Sequence, residues 1–443
     1  MLSVHSCPLG RLGEENTGGM SVYVRELARE LGRRGHRVDV FTRAHEPTHD
    51  RIVALAPNVR LVHIRAGKEE PMPKLTMYDH VAEFAHNLEE GRRSDGVDYD
   101  ILHSHYWLSG CVGRQVQKRW GIPHIIRFHT LGAVKNAVGI GEDEPMLRVE
   151  EERRLVSDCQ RIIVSTSRER NELVQHCDAS PQKIRIIPCG VNLDLFRPLE
   201  KTSARSRLNL NGEDVLLFVG RLVPAKGLAN LLMALPYLES KRPIRLLVVG
   251  GNDQPPGPIK SLRNLAKELS IEDRVTFLGS VEHQELPWYY SAADICVIPS
   301  FHETFGLVAL ESLACGTPVV STRVGAMEKV IQSGHTGYVV NDNTPAHLAA
   351  TIVRLLSGFS TSSKSADAIR ASVLPFSWAR VAEAVERECT SVLKRDFAEG
   401  YCAQDGYDDR GSCTASKKLA WGEECLREGL FVPDRGSPLP ESQ

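Results

Sequence analysis

The chain has 443 residues, too many for one ordinary core, so two domains of roughly 150–200 residues are expected. Hydrophobic residues make up 42% and charged residues 25%, the balance of a globular protein with a packed interior and a wetted surface. The formal net charge of -2 excludes nucleic-acid binding driven by overall basicity, and no apolar run reaches the roughly 18–20 residues of a membrane span.

The opening Met1-Leu2-Ser3-Val4-His5 carries no charged leader, so no signal peptide is expected there. Short β-rich runs then alternate with amphipathic stretches of a dozen or so residues, the rhythm of βαβ units and parallel sheets. In the first half the strand candidates are 2–5, 38–42, 59–64, 101–105, 124–128, 162–165 and 184–188. Helix candidates among them are 19–33, 108–120 and 145–157. The rhythm restarts with strands at 215–219, 246–250, 275–278, 295–299, 318–322 and 337–340, followed by helices at 345–357 and 378–394, with a Ser-rich break at 357–365. A turn-rich join, Gly190 to Pro198, and a charged segment, 199–213, separate the halves. The expected fold class is α/β, two Rossmann-like domains facing across a cleft, with ligands bound at the carboxyl edges of the strands. The expected division is 1–192, 193–375, a helix at 376–395 returning to the first domain, and an appendage at 396–443 of unassigned role. The eleven cysteines include no C-x-x-C pair, and Cys189, Cys296 and Cys315 adjoin strand runs, so buried thiols and a reducing cytoplasm are expected.

Three segments carry chemistry. Glu14-Glu15-Asn16-Thr17-Gly18-Gly19-Met20-Ser21 opens the first helix, where glycines let backbone amides approach a ligand and the helix N-terminus favours an anion; a tight turn is the plain alternative. Gly220-Arg221-Leu222-Val223-Pro224-Ala225-Lys226-Gly227 follows a strand and sets two cations, Arg221 and Lys226, over the cleft, suited to a diphosphate. In the stretch from Ser300 to Glu311, Glu303 lies in a loop, Gly306 and Leu307 open a helix, and Glu311 lies within it. One carboxylate then reaches a sugar ring and the other ribose hydroxyls.

Together these segments resemble the retaining GT-B glycosyltransferases that include sucrose synthases and sucrose-phosphate synthases, over about residues 2–395. The resemblance implies transfer from a nucleoside-diphosphate sugar without a metal or other cofactor. It assigns catalytic roles to Arg221, Lys226, His129 and Glu303 and donor binding to Gly18, Gly19, Ser21, Gly306, Leu307 and Glu311. His103-Ser104-His105-Tyr106-Trp107 and Phe128-His129-Thr130-Leu131-Gly132 further resemble the inositol-phosphate glycosyltransferases of mycothiol biosynthesis. That likeness implies an acceptor-phosphate grip by Lys68, Tyr106, Thr130 and Arg148. Ser21 departs from it, since that family has asparagine there. His129-Thr130-Leu131-Gly132 is also similar to the His-Ser-Leu-Gly of sucrose-phosphate synthases, which keeps fructose 6-phosphate open as acceptor. His103 and His105 alternate at a strand end without a third ligand, so core packing is expected of them rather than a metal. The expected partners are a UDP-sugar donor and a phosphorylated small acceptor, with no nucleic acid, no integral membrane segment and room for a homodimer. A non-catalytic sugar-nucleotide binder and a sugar-nucleotide epimerase of the same shape are the rival readings.

Overall fold

The computed structural model describes residues 1–10, 17–139, 143–251, 258–359 and 365–404. Glu14, Glu15 and Asn16, most of the Ser-rich break, and most of the appendage at 396–443 therefore lie outside the described residues. Met1–Lys394 form one compact unit, and it contains two β-sheets.

The first sheet is built from β1 (Val38–Arg43), β2 (Ile52–Ala56), β3 (Val59–Ile64), β4 (Leu102–His105), β5 (His124–Arg127), β6 (Arg161–Val164) and β7 (Ile184–Ile186). Its two ladders run β1-β3-β2 and β4-β5-β6-β7, and Leu2 bridges Phe41 and Ser104 in parallel, so a single residue joins them. The strand expected at 2–5 is thus reduced to one bridging residue. The Ser3 hydroxyl donates to the Ser6 carbonyl at 2.6 Å and the chain turns away. β2 was not foreseen. It pairs antiparallel on the edge of an otherwise parallel sheet, and its half-exposed residues explain why no buried-strand signal marks it.

The second sheet contains β8 (Asp214–Val219), β9 (Ile244–Val249), β10 (Val275–Gly279), β11 (Ile295–Ile298), β12 (Val319–Thr322) and β13 (Gly337–Val340), all parallel, in the order β10-β9-β8-β11-β12-β13. Runs such as Val215-Leu216-Leu217-Phe218 are buried on both faces, as helix-covered parallel strands must be. The strand order reverses between β8 and β11. Ligands of open α/β sheets bind at such a switch point, and here the loops leaving β8 and β11 carry Arg221, Lys226, Glu303 and Gly306.

Helices close both layers. Gly19–Arg33 buries Tyr23, Val24, Leu27 and Ala28, the i, i+3, i+4 spacing of an amphipathic helix. The charged segment 199–213, expected to be a linker, contains the helix Lys201–Arg207, whose first amides are capped by the Glu200 carboxylate. The last helix, Trp378–Gln404, starts against the first sheet's elements. Trp378 meets Tyr23 edge-on at 5.3 Å, Arg34 donates to Glu386 at 2.7 Å, and Arg161 pairs with Glu388 at 3.1 Å. Cys189, Cys296 and Cys315 are buried free thiols.

Candidate functional site

A cavity of about 420 Å³, the size of a small-molecule site, lies where the carboxyl edges of the two sheets face each other. Across it the Thr304 hydroxyl donates to the His129 carbonyl at 2.6 Å, tying the loop after β11 to the loop after β5.

Two helix N-termini open onto this space, those of Gly19–Arg33 and Leu307–Ala314, and neither has a side-chain cap. Their first amides have no intrahelical acceptor, so they present N–H groups and the positive end of a helix dipole to whatever enters. Gly306, at φ 105°, adopts a left-handed conformation that turns the chain into the second helix. Gly18 and Gly19 differ. Gly18 is extended with open space where a Cβ would stand, and a Cβ on Gly19 would meet only Leu307 at ordinary contact. The fold itself does not demand glycine at either position, whereas a ligand pressed against the backbone would.

Cations dominate the walls. Lys74, Arg127, Lys135, Arg148, Arg221 and Lys226 line the cavity, against two carboxylates among the described lining residues, Glu303 and Glu311. Lys226 Nζ donates to Glu303 Oε1 at 2.6 Å, and the Ser300 hydroxyl donates to the same oxygen at 2.9 Å, so that lysine is held in place by protein. Glu311 accepts from Tyr290 at 2.9 Å and pairs with His283 Nε2 at 3.1 Å. Arg221 is exposed at the wall.

Opposite them, Arg148 is almost wholly buried. Its Nε donates to Glu152 at 2.7 Å, its Nη1 pairs with Glu144 at 2.8 Å, and its Nη2 donates to the carbonyl and hydroxyl of Thr130 at 2.8 and 3.0 Å. The guanidinium also lies 4.8 Å from the Tyr106 ring centroid. Lys135 pairs with Glu144, yet burial, followed by the neighbouring charges of Arg148, Lys74 and Arg221, brings its ammonium down to about 8. Those contributions show four cations converging on one end of the cavity, a natural seat for a dianion.

His129 and Tyr106 are held at φ 61° and 77°. Left-handed backbone costs about 1–3 kcal/mol at a bulky residue and persists where surrounding structure imposes it, commonly at binding sites. His129 Nε2 lies 3.1 Å from His105 Nδ1, and burial, reinforced by Arg127, holds His129 well below the usual imidazole range, so its ring is neutral. His103 and His105 are buried and held neutral by desolvation as well, and His105 additionally orients His129.

Twelve of the fourteen residues assigned from the sequence line this one cavity: Gly18, Gly19, Tyr106, His129, Thr130, Arg148, Arg221, Lys226, Glu303, Gly306, Leu307 and Glu311. Two do not. The Ser21 side chain is fully buried and shares a hydrogen bond with Ser6 at 2.6 Å, so it locks the amino-terminal loop instead of reaching a donor. Lys68 has a side chain 83% exposed, 3.9 Å from Glu70, and lies outside the cavity wall, while its carbonyl accepts from Arg43 at 2.6 Å. Lys74 stands in the cavity in its place, six positions on, carried there by the helix Lys74–Asp79. Arg127, Lys135 and His283 escaped the sequence reading too. Arg127 alone left a signal, as a charge directly after the buried Ile125-Ile126 at the end of its strand.

Residues 200–371 match the family described as glycosyl transferases group 1, and residues 17–195 match glycosyltransferase family 4. D-inositol 3-phosphate glycosyltransferase of Corynebacterium efficiens is 38% identical over 412 residues, covering 89% of this chain and 97% of that protein. The enzyme of the same name from Acidothermus cellulolyticus is 41% identical over 372 residues, covering 80% and 82%. Among solved structures, sucrose-phosphate synthase from Thermosynechococcus elongatus superposes with a TM-score of 0.81 at 32% identity, covering 90% of this chain and 98% of that one. The catalytic domain of starch synthase IV from Arabidopsis thaliana, at 15% identity and a TM-score of 0.70, shares the fold. With matching relatives along nearly its whole length and a cationic cleft between two Rossmann-like sheets, the chain belongs to the GT-B glycosyltransferases of family 4.

Proposed function

We propose that this enzyme transfers a hexose or N-acetylhexosamine from a UDP-sugar to a phosphorylated polyol or sugar, with retention of anomeric configuration, and that inositol phosphate is its acceptor. The observation that carries the proposal is the convergence of Lys74, Lys135 and Arg148 with Tyr106 and Thr130 in the same cavity that Arg221, Lys226 and the Leu307 helix start line. In this reading the donor is held by elements of 193–375 and the acceptor by elements of 1–192.

As the glycosidic bond breaks, charge grows on the donor's β-phosphate. Arg221, Lys226 and the amides at Gly306 and Leu307 are positioned to stabilise it, and preorganised donors of this kind contribute about 2.7–4 kcal/mol each. Glu311 holds the ribose diol, and Glu303 holds the hexose hydroxyls while orienting Lys226. No carboxylate from the first sheet's side is among the described lining residues, which favours same-face attack with the leaving phosphate taking the acceptor's proton. Neutral His129 fits a role in hydrogen bonding to the sugar, not as a charged acid.

Transfer to fructose 6-phosphate is the second reading, favoured by the likeness to sucrose-phosphate synthase. One experiment tests both. Nucleoside-diphosphate release is measured over a panel of UDP-, GDP- and ADP-sugars crossed with inositol phosphate, fructose 6-phosphate and their dephosphorylated forms. Release is expected with a UDP-sugar and inositol phosphate together. Equal rates on free and phosphorylated acceptors end the phosphate-grip reading, and release without any acceptor points to the epimerase class.

A further inference from the structure

Away from the cleft, the loop leaving β1 reads His45-Glu46-Pro47-Thr48-His49. Two histidines four apart around a glutamate are a zinc pattern when a helix stacks them on one face. Here Pro47 stands inside the segment and no helix forms. The chain closes a turn instead, with the His49 amide donating to the Glu46 carbonyl at 3.2 Å, and the turn achieves the same result. One ligand atom each from His45, Glu46 and His49 lie within 4.8 Å of one another, and the two imidazole centroids are 4.5 Å apart.

Three further features prepare these groups for a metal. His45 Nδ1 lies 3.3 Å from the Arg43 carbonyl, so its proton belongs on that nitrogen and the lone pair on Nε2. Backbone carbonyls commonly set ligating histidines in this way. His49 Nδ1 is buried and has no hydrogen-bond partner among the described residues, although its ring is pinned by stacking on His63 at 4.8 Å. His63 repeats the arrangement, with Nδ1 held 2.7 Å from the Asp50 carbonyl and Nε2 left facing the Cys7 thiol at 3.9 Å. None of these side chains lines the cleft.

We propose that His45, Glu46 and His49 form a binding site for a divalent transition-metal ion of the zinc class, separate from the glycosyl-transfer site. Two imidazoles and one carboxylate suit such an ion. Tetrahedral zinc–nitrogen bonds of about 2.0–2.1 Å place ligand atoms about 3.3 Å apart, so the set contracts on binding. Glu46 already lies 3.4 Å from His49 Nε2, close to that spacing, and its half-exposed side chain leaves room for the remaining adjustment.

The test uses the full-length chain without a histidine tag. It is dialysed against Zn²⁺, its metal content is measured, and its affinity is read by competition with a chromogenic chelator. One equivalent is expected in the wild type. His49→Ala and Glu46→Gln are each expected to weaken binding at least tenfold, the scale on which metal sites respond even to altered outer partners. Glu46→Gln is isosteric and exposed, so it reports even if the histidine variant folds poorly. A wild type that retains no Zn²⁺, or variants that bind as tightly as the wild type, overturns the assignment.

Discussion

The sharpest test of the acceptor site is the pair Lys74→Ala and Lys68→Ala. Lys74 opens the helix Lys74–Asp79 and Lys68 lies in the loop before it; the resemblance pointed to Lys68, but only Lys74 lines the cavity, near Lys135 and Arg148. A charge-assisted hydrogen bond to a phosphate is worth about 1.5–3 kcal/mol, and each ~1.4 kcal/mol is tenfold. Removing Lys74 should therefore lower kcat/KM for the phosphorylated acceptor about 10- to 100-fold, toward the lower end because Lys135 and Arg148 remain. Lys68 is exposed to water, where charges more than about 8–10 Å apart are screened, so its loss should change kcat/KM by less than about twofold. The assay is UDP release at varied inositol phosphate and, in parallel, at varied free inositol. With the free acceptor the Lys74→Ala effect should vanish, because the interaction it removes is with the phosphate. A larger loss in Lys68→Ala than in Lys74→Ala would falsify the placement, and an equal loss of Lys74→Ala on both acceptors would show that the lysine serves folding and not phosphate.

The donor side predicts that Lys226→Ala and Arg221→Ala each lower kcat by about 10²-fold or more while the melting temperature stays near that of the wild type; full turnover in either variant refutes the charge-stabilising role. If cationic side chains and helix amides do the electrostatic work, as proposed, turnover should survive EDTA, and a complete loss restored by Mg²⁺ or Mn²⁺ would count against this. Lys135 sits at about 8 in the free enzyme, so below that pH it is charged and above it neutral. kcat/KM for the phosphorylated acceptor should accordingly fall as pH rises through about 8, and Lys135→Arg, which stays protonated, should move that fall upward; a flat profile in the wild type counts against the lysine. Arg148 and Glu152 form a buried pair, so Glu152→Ala should cost about 3–5 kcal/mol in a denaturant titration. Arg148→Ala should leave Glu152 without its cation, while Glu144 keeps Lys135, which makes it a stability variant as much as an acceptor variant.

The periodic signals were strong enough to place most strands within a residue or two, because buried parallel strands must be continuously apolar, whereas many of the covering helices, Val81–Asp95 and Ser167–Cys177 among them, were not singled out. The helix Gly19–Arg33 and the strands Val59–Ile64 and Gly337–Val340 lie just where the pattern puts them. The wall proposed to hold the donor was legible for a related reason. Arg221, Lys226, Glu303 and Gly306 sit in short loops directly after strands, so chain position already settles which edge of the sheet they occupy.

The proposed acceptor end was not legible in this way, since its residues reach the cavity from separate stretches of chain. Lys68 and Lys74 are equally basic in the sequence, and only the course of the chain after β3 turns one outward and the other in. Ser21 was misassigned for the same reason, because the helix rotates its side chain toward Ser6 and away from the cleft. Nor does the sequence announce that His45 and His49 meet. Pro47 removes the helix that would stack them, and a turn packed beside His63 brings the rings together. Local patterning determined the elements and one wall of the site. The pairing of charges across the cleft was decided by tertiary packing, because the direction of a side chain depends on what its helix or turn is packed against.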